Sequence, residues 1–395
     1  MNESLLEILD SDDSLSLYIH IPFCRSKCSY CQFYSVTRDK EDEKLYFNKL
    51  IEELNLVINK RKAPFETLFI GGGDPFLLKT EYLEEILELA GSLGKIKEVT
   101  IESNPNSLTS DYNRLITKGL TRISIGLQSM NKNHLKTLGR NVTVEENKKV
   151  LDLIKDERNI DFNLDLITSI PNQSLNDTLD DIDLIVDKLN VSHISLYNLT
   201  VEEGTLLAKR VNEGVIKILD DEEQADLLLG CWNHLEKRGY HQYEVSNFAL
   251  NKAKRALHNE RTWDCKSYLG LGCGAASTLT FKNITYRVSG KSDLKQYLGE
   301  KPFSVYQIEA LDKFTLIEES LILGLRTADG IDKNRWNSRF DLDFDLLFGS
   351  VLNPLVDKSK FLFKETKEKL ILSKEGLLVS DALIVKMISS LGSYK

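Results

Sequence analysis

Short apolar runs alternate with longer amphipathic segments over the first 200 residues of this chain. The apolar, β-branched runs are predicted as strands at residues 16–21, 67–70, 98–101, 122–127, 161–167 and 193–199. Helical periodicity, with Asp, Ser or Thr start signals, predicts helices at residues 41–60, 80–91, 109–118, 143–156 and 175–188. The alternation predicts six β–α units and a parallel sheet, either doubly wound or curved into a partial barrel.

The pattern changes beyond residue 200. Helices are predicted at residues 221–238, 314–326, from 333 onward and at 380–390. An extended segment is predicted at 240–247, a glycine-rich turn at 268–277, and a hairpin from 361–364 and 369–372. We therefore expect a core domain over residues 1–240, an extension of that core over 241–310, and a helical, winged-helix-like domain over 311–395.

Polar and glycine residues follow the predicted strands where each of them ends. A cysteine-rich loop follows the first strand, glycines 71–73 follow the second, Glu102 the third and Gln128 the fourth. Parallel α/β folds collect their ligands beyond the carboxyl ends of the strands. The sequence therefore predicts a ligand site at this edge of the sheet.

Three cysteines within eight residues carry the most specific chemistry of the chain. Cys24, Cys28 and Cys31 have the spacing CxxxCxxC, which provides three thiolates for a [4Fe–4S] cluster and leaves the fourth iron without a protein ligand. A zinc site with His20 as fourth ligand is the alternative, but zinc sites usually contain two CxxC pairs. An open iron would accept a substrate or cofactor.

The six cysteines of the chain, which also include Cys231, Cys265 and Cys273, are too sparse for its length to form a disulfide framework. We expect Cys265 and Cys273 to be small buried residues rather than thiolate ligands. The acidic start MNESLLEILDSDD differs from the basic start of a secretory signal. The sequence thus predicts a cytoplasmic protein with reduced thiols.

Composition limits the classes of function that fit. The 395 residues are 42% hydrophobic, which is ample for a globular enzyme core. No apolar stretch reaches the roughly 20 residues that a membrane-spanning helix needs, although peripheral membrane contact stays open. The net charge of −9 argues against nucleic acid as a partner.

An ordered series of motifs resembles the radical S-adenosylmethionine (SAM) superfamily and, within it, the HemN/HemW group. The series covers roughly residues 17–335 and comprises YIHIPFC with the CxxxCxxC spacing, FIGGG-P, TIESNP, RISIGLQS, LGR, NLDLI, HISLYNLTVEEGT, GYHQYEVSNFA, HN-W and YLGLG-GA-S. The resemblance implies an α/β fold, a partial (β/α)6 TIM-like barrel of the radical SAM type with a C-terminal α+β accessory domain.

The resemblance also implies ligands and their contacts. Cys24, Cys28 and Cys31 would ligate the cluster, and SAM would bind its open iron. Arg140 would suit the methionine carboxylate of SAM, while Gln128 and Asp165 would suit its ribose. The implied cofactor-binding residues on the core domain are Tyr18, Tyr30, Gly72, Gly73, Asp74, Glu102, Gln128, Arg140 and Asp165. Asp74 stands where the family's GGGTP has threonine, and its charge could oppose the carboxylate of SAM or attract the sulfonium.

Two functions occur in this group, and two features separate them. The oxygen-independent coproporphyrinogen III oxidases carry a further cysteine where this chain has Phe33, and they have a longer N-terminal segment. The expected function is therefore a HemW-type haem chaperone, with the oxidase as the alternative. His258, in HNERTW, resembles the haem-ligand candidate of the HNxxYW motif, although Thr262 and Ala276 depart from the usual tyrosine and histidine. Implied partners are haem, haem-accepting proteins such as respiratory enzymes, and an electron donor.

Overall fold

A single twelve-stranded sheet organises most of the chain. The computed structural model describes residues 7, 14–189 and 191–393; the acidic start used to argue against a secretory signal lies outside them, apart from Glu7. The strands are β1 Ser16–Ile21, β2 Phe23–Cys24, β3 Val36–Thr37, β4 Thr67–Gly72, β5 Glu98–Ser103, β6 Arg122–Gln128, β7 Asp161–Thr168, β8 His193–Asn198, β9 His241–Gln242, β10 Asn247–Ala249, β11 Tyr268–Leu271, β12 Ala276–Phe281, β13 Ile284–Gly290, β14 Tyr306–Ala310, β15 Ile331–Asp332, β16 Phe363–Glu365 and β17 Lys369–Leu372. The large sheet has the order β14-β13-β12-β11-β1-β4-β5-β6-β7-β8-β10-β9.

The centre of this sheet is parallel. The six predicted strands are all present as β1, β4, β5, β6, β7 and β8, and each begins at the predicted residue. They pair in parallel in chain order. Most of their residues are buried, as in β5 and β6, because a parallel sheet is covered on both faces. The carboxyl ends of these strands therefore lie along one edge.

Helices connect the strands and supply the C-terminal region. They are α1 Lys40–Lys60, α2 Thr80–Gly91, α3 Tyr112–Ile116, α4 Lys132–Thr137, α5 Val144–Ile154, α6 Leu175–Lys188, α7 Leu206–Asn212, α8 Asp221–Lys237, α9 Leu257–Trp263, α10 Leu294–Gly299, α11 Lys313–Gly324, α12 Lys333–Phe340, α13 Phe344–Lys358, α14 Lys374–Leu378 and α15 Ser380–Ser390. The predicted helix at 109–118 is shorter than expected, and the short helices α4, α7, α9 and α10 were not predicted.

The predicted glycine-rich turn at 268–277 is wrong for most of its length. Residues Tyr268–Leu271 form β11, which pairs in parallel with β1. Only the residues between β11 and β12 turn the chain, with Gly272 and Gly274 at φ 98° and 81°, a conformation that favours glycine. Tertiary pairing with β1 thus makes a strand from a sequence that looks like a turn.

The region after β14 forms a smaller unit of helices with a three-stranded sheet of order β15-β17-β16. The predicted hairpin is present as β16 and β17, which are antiparallel. The core of this smaller unit contains Trp336, whose ring centroid lies 5.1 Å from that of Phe344 and 4.7 Å from that of Phe340. We call α11–α15 and β15–β17 the C-terminal unit; the domain boundaries expected from the sequence stay predictions.

The large sheet is open in the part of the chain that the structure describes, since its outermost strands β14 and β9 do not pair with each other. Helix α9 covers the amino ends of the parallel strands. The backbone amides of Leu257 and His258, in α9, donate to the carboxylate of Glu98, the first residue of β5. Among the described residues, no helix has both the length and the apolar character to span a bilayer.

Candidate functional site

The cysteine loop lies against the turn that follows β4. The amide of Gly73 donates to the carbonyl of Ile21 at 2.7 Å, and the amide of Asp74 donates to that of Phe23 at 2.8 Å. A Cβ atom on Gly73 would stand 2.5 Å from the Phe23 oxygen and 3.0 Å from the sulfur of Cys24. Only glycine permits this close approach, so the turn and the loop are fitted to one another.

The loop is also held from its other side. The amide of Ser29 donates to the carbonyl of Leu138 at 2.9 Å, and the amide of Leu207, in α7, donates to the carbonyl of Ser29 at 2.7 Å. Tyr30 packs into a small apolar cluster with Leu138 and Leu207. The cysteines are therefore carried by a docked loop rather than by a free one.

All three cysteines of the loop are unpaired and half-buried. Burial raises the pKa of Cys24 to about 11 and raises the pKa of Cys31. Without a cation Cys24 and Cys31 favour their thiol forms, whereas a bound metal centre stabilises thiolates and displaces their protons.

The donor set fits an iron–sulfur cluster better than a single ion. No group of three or more Cys, His, Asp or Glu side chains within the described ranges lies close enough to hold one metal ion. A cluster binds each thiolate to a different iron, so its ligands stand further apart. Three thiols on one docked loop, beside a glycine turn without side chains, are consistent with such a cluster.

His20 does not supply a fourth ligand, which contradicts the zinc alternative. Its Nε2 donates to the carbonyl of Tyr34 at 2.9 Å, so its Nδ1 must accept the hydrogen bond from the Tyr18 hydroxyl, also at 2.9 Å. Both ring nitrogens are engaged. Burial lowers the pKa of His20 and raises that of Tyr18, so this pair is a neutral support beneath the cysteine loop.

Asp74 is fully buried and both of its oxygens accept hydrogen bonds. Oδ2 accepts from the side chain of Asn104 at 2.9 Å, and Oδ1 accepts from the hydroxyl of Ser107 at 2.8 Å. Burial raises the pKa of Asp74 despite these bonds. The structure thus turns this carboxylate toward the loop after β5 and away from open space.

Arg140 lies between that loop and the cysteines. Its Nη2 donates to Asn104 Oδ1 at 2.7 Å and to the carbonyl of Gly126 at 2.6 Å, while Nη1 lies 3.7 Å from the sulfur of Cys28. Its Nε is buried and has no hydrogen-bond partner among the residues that the structure describes. A buried donor without a partner costs about 1–3 kcal/mol, which an anionic ligand beside it would offset.

Three further predicted residues stand on neighbouring strands. Glu102 Oε2 accepts from the amide of Gly72 at 3.0 Å, and burial raises its pKa to about 7. Asp165 accepts from Ser124 at 3.1 Å, and burial raises its pKa to about 6. Gln128 has a left-handed backbone (φ 66°) at a bulge in β6, and its Oε1 is buried without a partner.

His258 lies apart from the cysteine loop. It belongs to helix α9, a segment that was not predicted as a helix, and it is buried. Its Nδ1 and the hydroxyl of Thr67 share a hydrogen bond of 2.8 Å. Burial, with the nearby charge of Arg261, lowers the pKa of His258 to about 4, so the ring is neutral.

A cavity of about 330 Å³ connects these two regions through the interior of the curved sheet. We call it the lumen cavity. It is lined by Tyr18, Phe33, Gly72, Glu102, His258 and Thr262, with Tyr268 and Ala276 from β11 and β12. Phe33, at 70% exposed, stands at its cysteine-loop end. Of the predicted SAM contacts, Tyr18, Gly72 and Glu102 line this cavity together with His258.

Sequence reasoning missed Asn104, Ser107 and the pairing of His20 with Tyr18. Asn104 lies within the TIESNP motif, and its position after β5 was the available signal, but a loop asparagine is usually solvated. It missed Glu244 too, which is buried, has one carboxylate oxygen without a partner and has its pKa raised to about 7 by burial.

Comparisons with known proteins agree with this geometry. Residues 18–185 match the family model described as Radical SAM superfamily, and residues 311–380 match the one described as HemN C-terminal domain. The chain is 30% identical over 379 residues to a protein of Lactococcus lactis named Heme chaperone HemW, covering 94% of this chain and 97% of that relative. A Bacillus subtilis protein of the same name is 30% identical over 387 residues, and the alignment covers 95% of this chain and 100% of that relative.

Among solved structures, the radical SAM enzyme coproporphyrinogen III oxidase (HemN) of Escherichia coli has a TM-score of 0.79 at 21% identity. The alignment covers 100% of this chain and 94% of that one. At this identity the likeness shows a shared fold. The partial barrel with a C-terminal accessory region, expected from the sequence, is therefore confirmed.

Proposed function

The chain belongs to the HemW family of the radical SAM superfamily, and from this membership we propose that it is a haem chaperone that binds a [4Fe–4S] cluster, SAM and haem. The observation that carries the choice within the group is Phe33. It is 70% exposed at the lumen cavity, at the position where the oxidases that this chain resembles have a further cysteine.

Cys24, Cys28 and Cys31 would hold three irons of the cluster. When bound, the cluster supplies the electron for reductive cleavage of SAM. The backbone of the turn at Gly72 and Gly73 would meet the amino end of SAM, and the missing side chains let this turn pack closely against His20 and the cysteine loop. The shape of the loop and turn supports this assignment.

Arg140 would orient the carboxylate of SAM, since its buried Nε has no protein partner and a guanidinium suits a carboxylate. Gln128 and Asp165 would contact the ribose; Gln128 has a free buried oxygen for a hydroxyl. Asp74 would act indirectly, because its oxygens already accept bonds from Asn104 and Ser107. Tyr18, Tyr30 and Glu102 would complete the walls of the site.

Haem would be the cargo, passed to haem-accepting proteins such as respiratory enzymes, and an external donor would reduce the cluster. A cytoplasmic location is part of the proposal, since the six cysteines of the chain are free and reducing compartments preserve thiols. His258 stays a candidate iron ligand from its motif.

Anaerobic reconstitution followed by haem titration tests this proposal. We expect one iron–sulfur cluster per chain, SAM binding, and a stoichiometric shift of the haem Soret band. Absence of the Soret shift in cluster-loaded protein would overturn the haem assignment.

The alternative is oxidative decarboxylation of coproporphyrinogen III, which the shared fold with HemN favours. Complementation of a strain that lacks the oxygen-independent oxidase separates the two functions. We expect no growth rescue. Rescue by this chain, and loss of that rescue in Cys28→Ala, would establish the enzyme instead.

A further inference from the structure

A second cavity, of about 550 Å³, lies between helix α9 and the C-terminal unit. We call it the C-terminal cleft. Helix α9 lies between the two cavities: His258 and Thr262 line the lumen, whereas Leu257 and Trp263 line the cleft. The volume lies in the range of cofactor sites, about 300–1,000 Å³.

The cleft is rich in positive charge within an acidic chain. Its lining contains seven Lys or Arg residues and four Asp or Glu residues, although the whole chain has a net charge of −9. A local surplus of cations in a concave site attracts anionic ligands.

The acidic residues of the lining are already engaged. Arg255 pairs with Glu260 and Asp329, and Arg335 forms a two-pronged pair with Asp264 at 2.9 and 3.0 Å. The remaining acid, Asp332, caps helix α12.

The surplus cations include Arg339 and Lys369. Neither makes an ion pair within the described ranges. The guanidinium carbon of Arg339 lies 5.0 Å from the centroid of the Phe340 ring, a contact that leaves its positive charge, like that of Lys369, available to an anionic ligand in the cleft.

The uncharged part of the lining combines apolar side chains with the polar Tyr243, Ser320 and Thr327. Leu257, Trp263, Ile331 and Trp336 supply aromatic and aliphatic surface. Cys265 is half-buried rather than buried as the sequence analysis expected, and its left-handed backbone (φ 53°) ends α9 at the cleft. Among the lining residues it has the only thiol, and none of them is histidine.

We propose that the C-terminal cleft is the haem site of this chain, with Arg339 and Lys369 binding the propionates and Cys265 coordinating the iron. This inference rests on the proposed haem-chaperone function. Haem combines an apolar ring with two carboxylates, and the cleft combines apolar walls with two uncommitted cations. As the sulfur–iron bond forms, the thiol releases its proton to solvent and the iron keeps its oxidation state.

The lumen cavity suits haem less well. It is smaller, about 330 Å³, and it adjoins the residues proposed for SAM. Separate cavities would let SAM and haem bind at the same time.

The test is a haemin titration of full-length, cluster-loaded protein, followed by its Soret band and by electron paramagnetic resonance of the ferric iron. The cleft variants are R339E/K369E and C265S. The matched charge control is K217E/K301E, which changes the net charge equally at two exposed lysines outside the cleft. H258N tests the lumen. Iron content and SAM binding report that each variant is folded.

We expect R339E/K369E to weaken haem binding at least tenfold while K217E/K301E binds like the wild type. We expect C265S to lose the thiolate signature of the ferric iron and H258N to retain it. Normal haem binding and spectrum in both cleft variants, or loss of haem only in H258N, would overturn the cleft assignment while the chaperone function stands. A wild-type protein that holds cluster and SAM but no haem would overturn the proposed function itself.

Discussion

The carboxylate of Asp74 accepts a hydrogen bond from the side-chain amide of Asn104, with 2.9 Å between Oδ2 and Nδ2. The oxygen of the same amide accepts from Arg140 at 2.7 Å, and Arg140 lies 3.7 Å from the sulfur of Cys28. A continuous chain of polar contacts therefore joins the turn after β4 to the cysteine loop. The carboxylate of Asp74 therefore holds the side chain of Asn104, and it positions Arg140 indirectly through Asn104.

Replacing Asp74 with alanine is expected to destabilise the protein by about 1–3 kcal/mol, because the buried donors of Asn104 and Ser107 lose their acceptor. SAM should also bind more weakly, since Asn104 helps to hold Arg140. Anaerobic urea unfolding and SAM titration measure the two effects. The exposed Asp156→Ala is the control, and equal stability of the two variants would contradict the role given to Asp74.

Glycine 73 gives a second prediction at the cysteine loop. In Gly73→Ala the new methyl group would meet the Phe23 carbonyl at 2.5 Å, and relief of such a clash typically costs about 1–3 kcal/mol. We expect lower iron content after reconstitution, because Cys24 follows Phe23 directly. Gly91→Ala is the matched control, since a Cβ there meets nothing within 4 Å. If both variants took up iron equally, the close fit of turn and loop would not matter for the cluster.

Much of the parallel sheet and of its ligand edge could be predicted from the sequence. Buried parallel strands are continuous apolar runs, and their first residues were located correctly from Ser16 in β1 to His193 in β8. The cysteine spacing is local, so it identified the loop without any tertiary information. Glu102 and Gln128 followed from their positions at strand ends.

What the sequence did not reveal depends on tertiary contacts. The sequence of β11 resembles a turn, and it forms a strand because it pairs with β1. Helix α9 is short, and the distant Glu98 accepts a hydrogen bond from its first residue. The partners of Asp74 are 30 and 33 residues away. Nothing in a local pattern shows that His258 and Cys265 line different cavities, because this depends on where the C-terminal unit packs.

Arg140 provides a prediction about geometry rather than charge. Arg140→Lys retains the positive charge but cannot bond Gly126, Asn104 and a ligand together, because an ammonium lacks the planar fork of a guanidinium. We expect at least a tenfold loss of SAM affinity, or about 1.4 kcal/mol, measured by anaerobic equilibrium dialysis. Arg158→Lys, at a surface arginine that bonds only nearby backbone, should bind SAM normally. Unchanged affinity in Arg140→Lys would remove Arg140 from the SAM site.

Behind β1, the carboxylate of Glu53 is buried with three tyrosines. Its Oε2 accepts from Tyr297 at 2.9 Å and from Tyr306 at 3.3 Å. Burial raises the pKa of Glu53 to about 7, although the Tyr297 hydrogen bond lowers it. Tyr46 extends this cluster toward the cysteine loop, because its hydroxyl donates to the carbonyl of His20.

The raised pKa of Glu53 predicts how stability changes with pH. Between its usual pKa of about 4.5 and pH 7, the unfolded chain releases this proton and the folded protein retains it, so the unfolding free energy falls as pH rises. Glu53→Gln cannot ionise, and its amide oxygen can still accept from Tyr297. From pH 5 to pH 8, the stability of the variant relative to the wild type should therefore rise by about 2 kcal/mol. Urea unfolding at four pH values measures this, with the exposed neighbour Glu52→Gln as control. Parallel pH profiles of Glu53→Gln and the wild type would mean that Glu53 is already ionised in the folded protein at pH 5.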